Sequence, residues 1–280
     1  MFDLHCHLLP GIDDGPSTLD LSLQMARAQV DQGVTHVACT PHILPGVYHN
    51  RGPQIREAVA ALQRALTEAD IPLTLVTGAD NHVDPAAVHK LQTGEHLTLN
   101  DSRYVLVEPP HHVAPARLDD FFFNLKIAGY VPVLTHPERL TWIEGHYDLI
   151  ASLADRGIWM QITSGSLRGK FGRRAKYWAD RMLCEGRVHI LATDAHNMSG
   201  RRPDLAEGQK CAADLVGVGA AEELVVNRPR AILVNEILED DRGVQPALAR
   251  PNAESRVDVQ TVDRRRDIGI GGRVRRLFGG

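Results

Sequence analysis

Six apolar, strand-like runs between residues 1 and 196 each end in a histidine or a carboxylate, and this recurrence restricts the fold more than any other feature of the chain. The first, Phe2-Asp3-Leu4-His5-Cys6-His7, reads as a short buried strand whose alternation sends His5 and His7 one way and Cys6 the other. The last, Val188 to Thr193, runs into Asp194-Ala195-His196, again two metal-type ligands two residues apart. Between them come Thr40-Pro41-His42, Gly78-Ala79-Asp80, Val107-Glu108-Pro109 and Thr135-His136-Pro137. Helical patterns separate these runs, so the strands are expected to lie parallel and deliver their ends to one rim of a barrel. Histidines and carboxylates gathered there point to a polynuclear metal site.

In chain order, Leu8 to Pro16 is a Pro- and Gly-containing loop that carries Asp13 and Asp14 back over the first strand end. One of them is a further ligand, or both belong to an acidic turn. Ser17 is expected to cap a helix from about Thr18 to Gln32, with Leu19, Leu23, Ala26 and Val30 on the core face and Gly33 ending it. Residues 43–53 lack a period and read as a loop, for substrate or simply as a connector. Strands at 73–77, 103–107, 130–134 and 158–162 then alternate with helices at 54–69, 116–128, 146–156 and 172–185, with a short helix opening at Asp84-Pro85. Two helices, 205–216 and 220–226, close one α/β domain that reaches about residue 240.

Composition narrows the function classes. A net charge of −4 argues against a dedicated nucleic-acid binder. The charge is unevenly placed: residues 241–280 carry nine arginines against five acidic residues, a balance of +4 on a body of −8. That segment reads as a disordered basic extension, either solubilising or in contact with an anionic surface. Cys6, Cys39, Cys184 and Cys211 form no CxxC pair, and a strand at residue 2 leaves no room for a secretory signal, so reduced thiols and a cytoplasmic location are expected. No run is long and apolar enough to span a membrane. Of the histidines away from the strand ends, His82 and His112 lie close enough in sequence to orient ligands, whereas His111 and the rest read as surface or packed residues.

Histidine and carboxylate ligands without thiolates favour Mn, Zn or Fe, and a set this large can hold more than one ion. Adjacent divalent ions suit an in-line displacement at phosphorus. Arg139 and Arg201, close to the same strand ends, offer planar forks for phosphate oxygens, although Arg139 has an alternative in an ion pair with Glu138 or Glu144. Phosphoester hydrolysis therefore fits better than amide hydrolysis. Cysteine-based phosphatase chemistry is excluded: it needs an arginine six positions after the nucleophile, and those positions hold Ile12, Pro45, Ile190 and Gly217.

With these residues in place the sequence resembles the polymerase and histidinol phosphatase (PHP) superfamily and, within it, the CpsB/CapC-type bacterial tyrosine phosphatases. The likeness spans roughly residues 1 to 235. It is carried by Asp3-Leu4-His5-Cys6-His7 with Asp13-Asp14-Gly15-Pro16, Gly33-Val34 to His42, Gly78-Ala79-Asp80, Glu108, His136-Pro137-Glu138-Arg139, and Asp194-Ala195-His196-Asn197 with Arg201 and Pro203. The resemblance implies a distorted (β/α)7 PHP barrel with three divalent ions, usually manganese, at the C-terminal rim of the strands. It implies one ion on His5, His7 and Asp194, a second on Glu108 and His136, and a third on Asp14, His42 and His196, with position 80 bridging the first two. There the chain departs from the pattern, with Asp80 in place of the usual Glu. Arg139 and Arg201 match the family's phosphate-binding arginines. The implied reaction is direct hydrolysis without a phosphoenzyme, on phosphotyrosines in the tail of a bacterial tyrosine autokinase that controls capsule or exopolysaccharide export. A PHP phosphatase of a small phosphomonoester such as histidinol phosphate, and a metal-binding regulator without turnover, are the alternatives.

Overall fold

The computed structural model describes residues 1–238 and 242–246. Ten strands occur among them: β1 (Phe2–Cys6), β2 (His36–Cys39), β3 (His42–Leu44), β4 (Tyr48–His49), β5 (Thr74–Thr77), β6 (Asp80–His82), β7 (Tyr104–Glu108), β8 (Val131–Thr135), β9 (Trp159–Thr163) and β10 (Ile190–Ala192). They form two sheets, β1-β2-β5 and β10-β9-β8-β7-β6-β3-β4, parallel throughout except for the β3–β4 pair.

Nine of the ten strands occupy seven positions of one curled α/β barrel-like sheet, because two positions are interrupted, and β4 adds an antiparallel edge to β3. β2 pairs with β5 and β3 with β6 at the same 38-residue offset, so each couple is one strand broken midway. The breaks fall at Thr40-Pro41 and Gly78-Ala79. Pro41 has no N–H for a ladder. A Cβ on Gly78 would lie 3.0 Å from both Thr40 Cγ2 and Leu99 Cδ2, so glycine lets the two breaks sit side by side. On the other edge β1 meets the chain leaving β10: Cys6 bridges Ala195, the Asp194 N–H donates to His5 O (2.8 Å), and the His7 N–H donates to Ala195 O (2.9 Å). All six ligand-bearing strand exits thus reach one rim.

An apolar cluster of Leu4, Ala38, Tyr104, Leu106, Val133, Trp159 and Ile190 draws on six strands. Such distant strands can meet only inside the curl. Ile232 and Leu99 join this cluster, and a larger one lies between the strands and the surrounding helices.

The first helix runs Leu19–Asp31, and its cap is Thr18 rather than the expected Ser17, with Thr18 Oγ1 accepting from the Leu21 N–H. Its buried face is Ser22, Met25, Ala26 and Gln29, and Leu19 is 43% exposed. Of the expected stripe Leu19, Leu23, Ala26 and Val30, Ala26 is buried and Leu23 and Val30 pack partly buried against the core, so only Leu19 falls outside it, while Gln29 joins the inner face. The physical reason is Asp3: this fully buried carboxylate accepts from Gln29 Nε2 (2.6 Å), which pulls a polar residue onto the inner face. Part of the 43–53 stretch, expected to be irregular, forms the β3–β4 hairpin with His42. The helix expected at 220–226 is instead Val218–Glu222 followed by a wider π turn over Glu223–Asn227, and a last helical turn, Arg228–Leu233, follows it. The basic extension expected from residue 241 lies outside the described residues apart from 242–246, where the Val244 N–H donates to Val188 O (2.7 Å).

Gly208 lies inside the helix Leu205–Val216, where propensity alone favours alanine by about 1 kcal/mol. A Cβ there would stand 2.9 Å from Ser164 Cα and closer still to Ser164 Cβ. Gly208→Ala is expected to lower stability by about 1–3 kcal/mol in denaturant unfolding, because overpacking outweighs propensity.

Candidate metal centre

Five imidazoles and four carboxylates converge at the rim. His5 and His7 come from the end of β1, His42 opens β3, Asp80 opens β6, Glu108 ends β7, and His136 follows β8. Asp194 and His196 follow β10, and Asp14 arrives on the loop after β1. His5, His7, Asp80, His136, Asp194 and His196 are each at most 1% exposed, and the side chains of His42 and Glu108 only 12%. These nine residues fall into overlapping groups whose ligand atoms lie within 4.8 Å of one another: His7 with Asp14, His42 and His196; His5 with His7 and Asp80; His5 with His136 and Asp194; and His42 with Asp80 and Glu108. A fifth overlapping group of the same kind joins Glu108, His136 and a residue absent from the sequence-based set, His111.

The hydrogen bonds show what these side chains are prepared for. His5 Nδ1 donates to Gln161 Oε1 (2.9 Å), His7 Nδ1 to Asp13 Oδ2 (2.7 Å), and His196 Nδ1 to Asp194 O (3.0 Å). With the proton fixed on Nδ1, each ring presents the Nε2 lone pair inward. The His5 and His7 Nε2 atoms then face each other at 3.3 Å, and both face Asp194 Oδ1, at 3.4 and 3.3 Å. Asp80 Oδ2 stands 3.5 Å from His5 Nε2, 3.6 Å from His42 Nδ1 and 3.9 Å from His136 Nε2. Both Asp194 Oδ1 and Asp80 Oδ2 are buried without a hydrogen-bond partner. Unpaired acceptors pressed together in a dry site cost free energy unless a cation lies among them. Separations of 3.3–3.9 Å suit ligands sharing an ion about 2.1 Å from each. The donor set thus fits divalent metal.

Proton competition follows from the same crowding. Burial disfavours a charged His5, but Asp80 and Asp194 outweigh it and raise its pKa to about 9. For His42, burial is likewise outweighed, by Glu108 and Asp80, to about 10. Burial, with His7 beside it, lowers His196 to about 4, and burial with Arg139 holds His136 well below the usual range. Without metal, His5 and His42 are therefore protonated at pH 7.5. A protonated ring cannot ligate, so metal and protons compete, and affinity falls as pH falls. Calorimetric titration with Mn²⁺ at pH 7.5 in buffers of different ionisation enthalpy should show net proton release; none would contradict this arrangement.

Two arginines border the cluster. Arg139 Nη1 and Arg201 Nη2 both donate to Asp194 Oδ2, and Arg201 Nη1 lies 3.8 Å from Asp14. The Arg139 guanidinium stacks over Phe171, 4.3 Å from its centroid. The ion pair entertained for Arg139 with Glu138 does not form. Glu138 is fully buried and faces the other way, accepting from the Thr163 N–H (2.9 Å) and Ser166 Oγ (2.8 Å), which ties the 136–139 turn to the end of β9. Burial opposes an ionised Asp194, but Arg201, His5 and Arg139 hold its pKa well below the carboxylate range.

Backbone strain marks the same place. His136 has φ 35° although a proline follows it, and Asp194 has φ 50°. Left-handed conformations of this kind cost about 1–3 kcal/mol each and persist where surrounding contacts enforce them.

Several contributors had little sequence signal. Asp13, paired above with Asp14 as an undecided ligand, orients His7 and accepts from the His42 N–H (3.2 Å), while Asp14 faces His196 Nε2 (3.2 Å) and His42 Nε2 (3.5 Å). Asp3 fastens β1 to β10, accepting from the Thr193 N–H (3.0 Å) and Thr193 Oγ1 (2.5 Å). His112, expected as an orienter, is exposed, and His82 lies opposite Glu108 in the β6–β7 pairing. Tyr48 stacks on His42 with ring centroids 5.5 Å apart. Cys6 and Cys39 are buried, and desolvation pushes both thiols up, which agrees with the exclusion of a thiolate nucleophile.

Known proteins share this architecture. The profile of the family described as "Capsular polysaccharide synthesis, CpsB/CapC" matches residues 1–234. Tyrosine-protein phosphatase YwqE of Bacillus subtilis is 39% identical over 201 residues, covering 72% of this chain and 79% of that protein. Tyrosine-protein phosphatase CpsB of Streptococcus pneumoniae is 30% identical over 247 residues, covering 85% of this chain and 100% of that protein. A chain from the crystal structures of YwqE and CpsB, described as metal-dependent tyrosine phosphatases, superposes with a TM-score of 0.83 at 35% identity, over 88% of this chain and 99% of its own. An organophosphorus hydrolase of Deinococcus radiodurans, at 15% identity and a TM-score of 0.50, shares the fold alone.

Proposed function

Because the chain belongs to the CpsB/CapC family of capsular polysaccharide synthesis, we propose that it is a metal-dependent protein-tyrosine phosphatase acting on a bacterial tyrosine autokinase that regulates capsule or exopolysaccharide export. The observation that carries the reading is the pair of unpartnered carboxylate oxygens, on Asp80 and Asp194, among inward-facing imidazoles and beside two guanidinia. His5, His7, Asp14, His42, Asp80, Glu108, His136, Asp194 and His196 would hold the metal, with manganese the proposed element and three the proposed number of ions. Bound divalent ions supply a nucleophile at neutral pH and offset charge on the phosphate oxygens.

The protein's own groups do the rest. Arg139 and Arg201 converge from separate segments and present donors to a phosphate arriving at the rim. Phe171 supports the Arg139 plane from behind. Gln161 and Asp13 keep His5 and His7 in one tautomer. The balanced reaction joins a water oxygen to phosphorus and breaks the bond to the tyrosyl oxygen, releasing tyrosine and inorganic phosphate. Cytoplasmic action belongs to the same proposal, supported by four cysteines that are all unpaired. No helix among the described residues is long and apolar enough to cross a membrane.

Chelator-stripped protein should release no phosphate from a phosphotyrosine peptide until Mn²⁺ is restored, and should then turn over the peptide at least tenfold faster than histidinol phosphate. The opposite preference would make it a small-molecule phosphatase. Metal binding without turnover of either substrate would make it a regulator.

A further inference from the structure

We infer that His111 is a metal ligand, forming with Glu108 and His136 a three-residue group that compensates for the short reach of Asp80. The inference rests on the metal-dependent reading above, but its test does not require turnover. One ligand atom from each of Glu108, His111 and His136 lies within 4.8 Å of the other two. His136 Nε2 is 3.6 Å from Glu108 Oε1 and 3.9 Å from Asp80 Oδ2. Asp80 Oδ2 stands nearer to His5 and His42, at 3.5 and 3.6 Å, so of the three imidazoles it serves His136 from farthest away. Glu108 and His136 alone supply two protein donors, one fewer than the three that catalytic zinc sites built from histidine and carboxylate take.

The backbone around His111 is built to hold it there. The Thr141 N–H and Thr141 Oγ1 donate to His111 O at 3.0 and 3.1 Å, and Trp142 Nε1 donates to Pro110 O at 2.9 Å. The segment leaving β7 is thereby fastened to the segment that follows His136. The His111 ring lies 5.5 Å from the His136 ring at an interplanar angle of 33°, whereas His112, one residue on, is exposed. None of these backbone bonds involves the imidazole, so His111→Ala leaves the segment anchored.

The test measures metal directly. Chelator-stripped protein is titrated with Mn²⁺ while free Mn²⁺ is followed by electron paramagnetic resonance, and bound metal is counted after desalting. His111→Ala should lose one ion per chain or weaken the weakest site at least tenfold, with an unchanged circular dichroism spectrum, while His112→Ala matches the unaltered protein. Lengthening the neighbouring carboxylate by one methylene, in Asp80→Glu/His111→Ala, should recover the lost binding. Unchanged stoichiometry and affinity in His111→Ala would overturn the assignment, and a raised KM for phosphopeptide beside that result would place the ring against substrate. Loss in His111→Ala without recovery in the double variant would overturn the part assigned to Asp80. Failure of the phosphatase reading would show separately, as an unaltered protein that binds Mn²⁺ and releases no phosphate.

Discussion

Asp194→Asn should lower phosphate release by about 10³-fold or more and remove metal from the protein, with the fold retained. One oxygen of Asp194 takes hydrogen bonds from two arginines, and the other, without a partner, faces two imidazole nitrogens. The amide keeps the shape and deletes the charge. Its NH2 can replace only one of the two oxygens: placed toward the arginines it meets two donors, and placed toward the histidines it meets lone pairs no longer offset by an anionic ligand. Either way the centre loses a negative charge that was 1% exposed and surrounded by cationic groups. Metal analysis and steady-state kinetics on the same preparation check this. Activity within tenfold of the unaltered protein, at full metal content, would sink the role given to Asp194.

Arg139→Ala should separate phosphate binding from metal binding. Removal of the guanidinium takes one planar donor fork from the rim and is expected to cost about 10²–10³-fold in kcat/KM, the range for losing a charged contact to a transition-state oxygen. Metal affinity should hold or rise, because Asp194 loses a competing cation. The backbone there is secured independently: Arg174 donates to Arg139 O (3.0 Å) and Leu140 O (2.7 Å). Arg139→Lys should recover only part of the loss, since an ammonium lacks both the fork and the stacking face. Phe171→Ala, which removes the surface beneath the guanidinium, should cost about 2- to 30-fold. Equal losses of metal and activity in Arg139→Ala would assign the residue to the metal centre.

Much of this arrangement was legible from one-dimensional pattern, because the parallel strands all exit at the same rim. A His, Asp or Glu closing an apolar run is placed by topology alone, which is why His42, Asp80, Glu108 and His136 could be named without coordinates. What sequence could not rank were residues whose placement depends on a loop's path. His111 and His112 are adjacent and alike in composition, and only the hydrogen bonds from Thr141 and Trp142 decide which turns inward. Asp13 and Asp14 pose the same problem to pattern alone, where only the resemblance singled out Asp14; in the structure Asp13 bonds His7 (2.7 Å) and Asp14 faces His196 (3.2 Å). The burial of Gln29 on the first helix went unread because Gln29 is polar and is buried to satisfy Asp3, a partner 26 residues away. The β3–β4 hairpin escaped notice because a two-residue strand has no measurable period.

The left-handed dihedrals of His136 and Asp194 set the chemistry of this rim against the durability of the chain. Glycine or asparagine would occupy those dihedrals at lower cost, most freely at 136 because two arginines also hold Asp194, so a laboratory selection scored only on heat resistance would favour replacing His136. The variants it returned would be hardier and inert. Thermostabilised forms of this protein should therefore be sought among positions remote from strand exits, with residues 136 and 194 held fixed from the outset.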